Sequence, residues 1–200
     1  MMRLGILGGT FDPPHFAHLI MAEYTREQLD LDRILWVVTA DPPHKQGQTI
    51  SPVEHRLRMV GMMLADNPAF ELSRIDVDRP GPHYTVDMVS ILAAQYPGSA
   101  LFFLMGADSL RDLPNWHNPA RLIRLANLVV MERPGVVYDL AQLEALIPGL
   151  RDCVIIEDAP VIDISSSEIR VRAAAGRSIR YLLPANVETY IHAQGLYRTS

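Results

Sequence analysis

Six short apolar runs alternate along this 200-residue chain with stretches in which apolar side chains recur at helical spacing. The runs predict strands at residues 3–7, 34–38, 70–72, 101–105, 128–131 and 154–156. The stretches predict helices at residues 18–29, 52–65, 86–95, 119–125, 140–147, 166–175 and 185–193. Strands that alternate with helices form a mostly parallel sheet with helices on both faces. The pattern therefore predicts an α/β fold: a doubly wound (Rossmann-like) parallel sheet with a C-terminal helical tail, in a single domain over residues 1–200.

A glycine-rich turn with two histidines follows the first predicted strand. Its sequence is Gly8-Gly9-Thr10-Phe11-Asp12-Pro13-Pro14-His15-Phe16-Ala17-His18. Glycines let the backbone approach a bulky anion closely, and His15 and His18 fall on one face of a first helical turn. Because a helix N-terminus offers N–H groups and the positive end of the helix dipole, the segment predicts a phosphate site. Taken alone, these residues also suit a structural turn followed by surface or capping histidines.

A second segment of similar chemistry is Ile164-Ser165-Ser166-Ser167-Glu168-Ile169-Arg170. Ser165 and Glu168 have the spacing of a capping box, so Ser165 is the predicted N-cap of a helix that begins at Ser166. The helix amides and the hydroxyls of Ser166 and Ser167 can donate to phosphate oxygens. Arg170, one turn later, can bind two of those oxygens at once. A capped surface helix with a solvated arginine is the alternative on this pattern alone.

A glycine and an aspartate follow the fourth predicted strand, at Gly106 and Asp108. In α/β folds, ligands bind at the carboxyl ends of the strands, where an aspartate can accept hydrogen bonds from ribose hydroxyls. A helix N-cap at Asp108 is an equally good interpretation from the sequence alone.

The two motifs together resemble the nucleotidyltransferase superfamily, whose signature is a glycine-rich turn with His-x-x-His and, far along the chain, Ile-Ser-Ser-(Ser/Thr)-x-x-Arg. Ala17 stands where glycine is usual before the second histidine. The resemblance implies that His15, His18 and Arg170 serve catalysis and that neither histidine need be a nucleophile. The ATP-binding residues that it implies are Gly8, Gly9, Thr10, Phe11, Gly106, Asp108, Ile164, Ser165, Ser166, Ser167 and Arg170. Mg²⁺ is expected to arrive with ATP, held by phosphates and water rather than by protein ligands.

Four further segments narrow the resemblance to the family of bacterial nicotinate mononucleotide adenylyltransferases. They are Pro42-Pro43-His44-Lys45, Tyr84-Thr85-Val86-Asp87, Trp116-His117 and Arg133-Pro134-Gly135. The similarity continues through residues 182–184 to 195–197 and so covers essentially the whole chain. It implies transfer of AMP from ATP to nicotinate mononucleotide by in-line attack without a covalent enzyme intermediate, yielding nicotinic acid adenine dinucleotide and pyrophosphate. The mononucleotide-binding residues that it implies are His44, Lys45, Thr85, Trp116 and Arg133.

The residue types in these segments suit a pyridine mononucleotide. Lys45 can meet its phosphate, and Trp116 can stack on its ring. Backbone N–H groups near Thr85 and His117 can meet its carboxylate. Asp87 is the only acidic residue expected near Thr85, so the pocket is predicted to offer donors and to favour the acid over the amide. A solvated lysine and a tryptophan that covers the core are the structural alternatives.

Two other functions stay open at this point. Another small adenylyltransferase, such as the phosphopantetheine enzyme, has an acceptor without a pyridine ring for Trp116. A non-catalytic nucleotide sensor needs the pocket but not the transfer residues His15, His18, Lys45 and Arg170.

Composition argues against several other classes. The formal net charge is −5, so no basic surface predicts a nucleic-acid partner. No apolar stretch has membrane-spanning length, and residues 1–3 lead into the first strand without a signal peptide, which predicts a cytoplasmic protein. Cys153 is the single cysteine, which excludes an internal disulfide and predicts no zinc site. These features predict no particular oligomeric state.

Overall fold

The computed structural model describes residues 1–41, 50–132, 135–157, 159–160 and 162–198. Within them one parallel sheet contains the strands β1 (Arg3–Gly9), β2 (Arg33–Val38), β3 (Phe70–Ser73), β4 (Ala100–Gly106), β5 (Asn127–Met131) and β6 (Val154–Glu157). The strand order is β3-β2-β1-β4-β5-β6, so the chain reverses its direction of winding between β1 and β4. A crevice opens at such a reversal, at the carboxyl ends of the strands. The predicted doubly wound parallel sheet is confirmed.

Helices cover both faces of this sheet. They are α1 (Phe16–Gln28), α2 (Val53–Leu64), α3 (Thr85–Gln95), α4 (Ala107–Asp112), α5 (Pro119–Leu125), α6 (Leu140–Leu146), α7 (Ser166–Ala174) and α8 (Ala185–Ala193). Alternate residues of β1 enter different cores: Leu4 and Ile6 pack with α3, α5 and α6, whereas Leu7 packs with α1, α2, α7 and α8. The predicted C-terminal helix is present as α8. No helix in the described parts of the chain combines the length and apolar character that crossing a membrane requires.

Several helix starts agree with the sequence. The Oγ of Ser165 accepts a hydrogen bond from the N–H of Glu168 at 3.1 Å, so the predicted cap of α7 is confirmed.

Two other helices differ from the prediction. Helix α1 begins earlier than predicted, at Phe16, with His15 as its N-cap. Helix α4 was not predicted, because it begins directly where β4 ends and Gly106 serves both elements.

The start of α2 departs from its local sequence pattern. Ser51 and Glu54 have the Ser-x-x-Glu spacing that predicts a capping box, but the N-cap of α2 is Pro52, and no side chain caps it. The backbone N–H of Ser51 instead donates to the Asp12 carboxylate at 3.1 Å. A contact from a distant part of the chain thus replaces the local cap.

Candidate active site

Two adjoining cavities lie at the carboxyl ends of the central strands. The first has a volume of 620 Å³, and among its walls are the ends of β4 and β5 and the start of α7. The second has a volume of 410 Å³ and lies toward β2 and the start of α3. Among the described residues, the two cavities share Gly8, Phe103, Ser109 and Trp116 in their walls. The fold therefore offers two neighbouring spaces that meet above the end of β1.

His15 and His18 both line the first cavity and contact each other directly. Their rings are stacked with centroids 3.7 Å apart, and the backbone N–H of His15 donates to the Nδ1 of His18 at 3.2 Å. We assign the neutral His18 imidazole its proton on Nε2, because Nδ1 accepts this hydrogen bond. An Nε2–H group at a helix start is a suitable donor for a phosphate oxygen.

The start of α7 forms another part of the first cavity, lined by Ile164, Ser165, Ser166 and Ser167. The Oγ of Ser166 donates to the backbone oxygen of Pro13 at 2.8 Å. The glycine-rich turn and the serine-rich segment are 153 residues apart in the sequence at this bond, and they are in direct contact in the structure.

Arg170 lies at the same junction. Its Nη1 donates to the backbone oxygen of Asp12 at 2.7 Å, and its Nη2 donates to the Oγ of Ser167 at 3.3 Å. These bonds use only part of the N–H donors that a guanidinium carries. Arg170 is not among the described wall residues of either cavity, but its partner Ser167 lines the first cavity.

Gly106 and Asp108 also line the first cavity, at the junction of β4 and α4. A Cβ atom at Gly106 would lie 2.6 Å from the Oδ1 of Asp108. A side chain at position 106 would therefore require the Asp108 carboxylate to move. Asp108 lies in the first turn of α4, whose N-cap is Gly106, so the alternative that Asp108 is itself the N-cap is wrong.

Aromatic rings shape the second cavity. Trp116 meets the ring of Phe103 edge to face with centroids 6.1 Å apart, and His117 stacks on Tyr84 at 4.2 Å. Thr85 is the first residue of α3, a position where the helix offers no backbone acceptor to the N–H group. Stacking surfaces and a helix-start amide thus occur in one space, as the pyridine-carboxylate hypothesis requires.

An acidic residue that the sequence did not place here also lines the second cavity. Asp76 is 3% exposed, and the Nη2 of Arg79 donates to its Oδ1 at 2.6 Å. The Nδ1 of His83 lies 3.6 Å from the same oxygen. The expectation that Asp87 is the only acid near Thr85 is therefore wrong. Arg79 compensates the charge of Asp76, so the wall is not simply anionic.

Some predicted nucleotide residues occupy other places. Gly9 and Thr10 line the second cavity rather than the first. Phe11 is 3% exposed and contacts the rings of Trp36 and His18, and it is not among the described residues of either wall. His44, Lys45 and Arg133 lie outside the described residues.

Arg56 is a buried cation that the sequence analysis missed. It is 2% exposed and donates to four backbone oxygens, those of Thr10, Thr39, Ala40 and Ser51, at 2.7–3.0 Å. Burial lowers its pKa, and the charge of nearby Asp12 opposes this effect. Its place within the apolar face of the second predicted helix was the signal in the sequence that could have identified it as buried. Arg56 ties together the segments after β1 and β2, whose Thr10 and Thr39 line the second cavity.

No three His, Cys, Asp or Glu side chains form a group that could hold a metal ion in the part of the chain that the structure describes.

Comparisons with known proteins place the chain in a family. Residues 6–172 match the model of the cytidylyltransferase-like family. A protein of Thermomicrobium roseum, described as a probable nicotinate-nucleotide adenylyltransferase, is 52% identical over 199 residues, which are 100% of this chain and 93% of the relative. A Thermus thermophilus protein of the same description is 45% identical over 197 residues, covering 98% of this chain and 100% of the relative.

Solved structures show the same fold. Plasmodium falciparum nicotinic acid mononucleotide adenylyltransferase complexed with NaAD has a TM-score of 0.80 and 19% identity, covering 98% of both chains. The same enzyme complexed with APC has a TM-score of 0.78 at the same identity and coverage.

Proposed function

Because the chain belongs to the cytidylyltransferase-like family, and within it to the nicotinate-nucleotide adenylyltransferases, we infer that it transfers AMP from ATP to nicotinate mononucleotide. The products are nicotinic acid adenine dinucleotide and pyrophosphate, so the reaction belongs to NAD biosynthesis. The structural observation that supports this function best is the pair of adjoining cavities that meet at Gly8 and Trp116. A reaction that joins two nucleotides needs two such cavities that open onto each other.

ATP fits the first cavity. Its triphosphate would lie along His15, His18 and the start of α7, where imidazole, hydroxyl and backbone donors converge. Its adenosine would lie toward Gly106 and Asp108, with the carboxylate able to accept from ribose hydroxyls.

The mononucleotide fits the second cavity. Trp116 offers a ring for stacking, and the helix-start amide of Thr85 offers a donor for the pyridine carboxylate. The buried charge of Asp76 would repel that carboxylate if it were not paired with Arg79. Phosphate binding by His44, Lys45 and Arg133 stays a prediction from the sequence.

The transfer itself requires positioning and charge stabilisation. An oxygen of the mononucleotide phosphate attacks the α-phosphorus of ATP in line, a new phosphorus–oxygen bond forms, and the bond to the leaving pyrophosphate breaks. His18 donates from Nε2 to the developing negative charge, and no residue becomes covalently attached. Because the two cavities adjoin, they hold both reactants close together and in a fixed orientation, and this positioning accounts for much of the rate acceleration.

Enzymes of this type are generally metal-dependent, and we propose Mg²⁺ bound to the ATP phosphates. The ion would supply charge neutralisation, while this chain's own residues bind and orient the phosphates. A cytoplasmic location and the absence of a nucleic-acid partner stay predictions from composition.

A turnover assay tests the function directly. Pyrophosphate release would be measured with ATP and, in separate reactions, nicotinate mononucleotide, nicotinamide mononucleotide and phosphopantetheine. We expect the acid mononucleotide to be the best acceptor, by roughly 10²-fold over the amide in kcat/KM, because donors facing an amide NH₂ leave unpaired polar groups. Preference for phosphopantetheine would support the other adenylyltransferase, and nucleotide binding without turnover would support the sensor.

A further inference from the structure

The chain after α8 returns to the glycine-rich turn. Gly195 ends the helix with a φ of +61°, and Tyr197 follows with a φ of +65°, a conformation that bulky residues rarely adopt. The hydroxyl of Tyr197 donates to the Oδ1 of Asp12 at 2.7 Å, across 185 residues of sequence. A strained backbone conformation persists where surrounding contacts hold it, and such positions cluster at functional sites. The strained conformation at Tyr197 accompanies a specific long-range hydrogen bond, which points to a functional role for that bond.

Asp12 is the centre of several contacts. It is 3% exposed, its Oδ2 accepts from the N–H of Ser51, and its backbone oxygen accepts from the Nη1 of Arg170. The next residue, Pro13, accepts from the hydroxyl of Ser166. The position of Asp12 therefore affects both phosphate motifs at once.

We propose that Tyr197 is a positioning residue for nucleotidyl transfer: its hydroxyl holds Asp12, and through Asp12 it orients Arg170 and the helix start that carries His15 and His18. This inference rests on the proposed function. Burial and the nearby Asp12 charge raise the pKa of Tyr197 well above its ordinary value, so the hydroxyl stays a donor throughout the working pH range. Without it, one oxygen of a buried carboxylate loses its donor, and the carboxylate must shift or bind water.

The test compares Tyr197→Phe with Tyr190→Phe. Tyr190 lies in the same C-terminal region, and its hydroxyl bonds to the Nδ1 of His55 at 2.8 Å, away from Asp12. Each variant removes one hydroxyl; that of Tyr197 bonds to Asp12 and also to the side chain of Ser51, whose amide donates to the same carboxylate. We expect Tyr197→Phe to lower kcat by about tenfold or more with the KM for the mononucleotide within about twofold, because small displacements of positioned groups are costly in rate. Tyr190→Phe should keep kcat within about twofold at a comparable loss of thermal stability.

A second measurement asks whether Tyr197 acts through Asp12. In an Asp12→Ala background, Tyr197→Phe should reduce kcat by less than about twofold further, since the carboxylate through which the hydroxyl acts is already absent. Independent, multiplicative losses would overturn the proposal. So would equal activity losses in the two tyrosine variants, or a loss that disappears at a temperature where both are fully folded.

A spectroscopic readout separates this proposal from the proposed function. The imidazole nitrogen signals of His15 and His18, measured by NMR on ¹⁵N-histidine-labelled protein, should shift in Tyr197→Phe and stay in place in Tyr190→Phe. The signal of His55 should respond only to Tyr190→Phe, as an internal control. Unchanged His15 and His18 signals in Tyr197→Phe would overturn the positioning role even if the wild-type protein shows no transfer. Wild-type inactivity with all acceptors would overturn the function alone.

Discussion

Replacing Arg56 by methionine should destabilise the protein strongly. Methionine keeps the apolar stem, but the four backbone oxygens that the guanidinium binds at 2.7–3.0 Å lose their charged donor. The nearby Asp12 carboxylate also loses a compensating charge. Removing one partner from a buried charged network costs roughly 3–5 kcal/mol. At about 2–4 °C per kcal/mol for a chain of this size, the expected loss in Tm is roughly 6–20 °C.

The matched control is Arg58→Met, two residues along the same helix at an exposed position. It removes the same charge and adds the same side chain, so Tm should stay within about 2 °C of wild type. Thermal unfolding of both variants and the wild type, followed by circular dichroism, makes the comparison. Because Thr10 and Thr39 line the second cavity, Arg56→Met should also raise the KM for the mononucleotide more than that for ATP. Equal Tm values for the two variants would refute the structural role assigned to Arg56.

Three further substitutions test the proposed site. His18→Ala should lower kcat by about 10²–10³ with little change in the dissociation constant of ATP, measured by steady-state kinetics and calorimetry, and unchanged turnover would exclude His18 as the charge-stabilising donor. Arg170→Lys should raise the KM for ATP and lower kcat, because lysine lacks the planar fork, whereas wild-type values of both would leave Arg170 a structural residue. Trp116→Ala should raise the KM for the mononucleotide by roughly fivefold at nearly constant KM for ATP, since aromatic stacking is worth about 1 kcal/mol. An effect confined to ATP would contradict the assignment of the cavities.

Local patterns in the sequence predicted the frame of the site. The alternation of strands and helices led to the sheet, and the capping residue Ser165 placed the start of α7 correctly. These features depend on neighbours a few residues away, so a single sequence contains them. The positions of His15 and His18 at the start of α1 also follow from the local sequence pattern.

Features that depend on distant contacts were not predictable in this way. The bond between Tyr197 and Asp12 has no local signature, because both residues look ordinary within their own segments. Ser51 had a favourable capping pattern, but its amide was taken by the same carboxylate. Asp76 reached the second cavity because the segment between β3 and α3 folds back on itself through Arg79. For Tyr197 and Ser51 a contact with a distant residue decided the outcome, whereas the segment around Asp76 is held by bonds between residues three to five apart that no sequence pattern marked.

The wall that the two cavities share bears on the fate of the product. Gly8 and Trp116 belong to both linings, so a dinucleotide assembled there occupies both spaces with one molecule. Before the reaction each nucleotide can dissociate by itself. After the reaction the two halves are covalently linked, so a half that detaches stays at a high local concentration near its cavity until the other half also dissociates. Dissociation of the dinucleotide is then expected to limit steady-state turnover. Rapid mixing would reveal this as a burst of pyrophosphate equal to the enzyme concentration, followed by a slower phase set by the residence time of the dinucleotide.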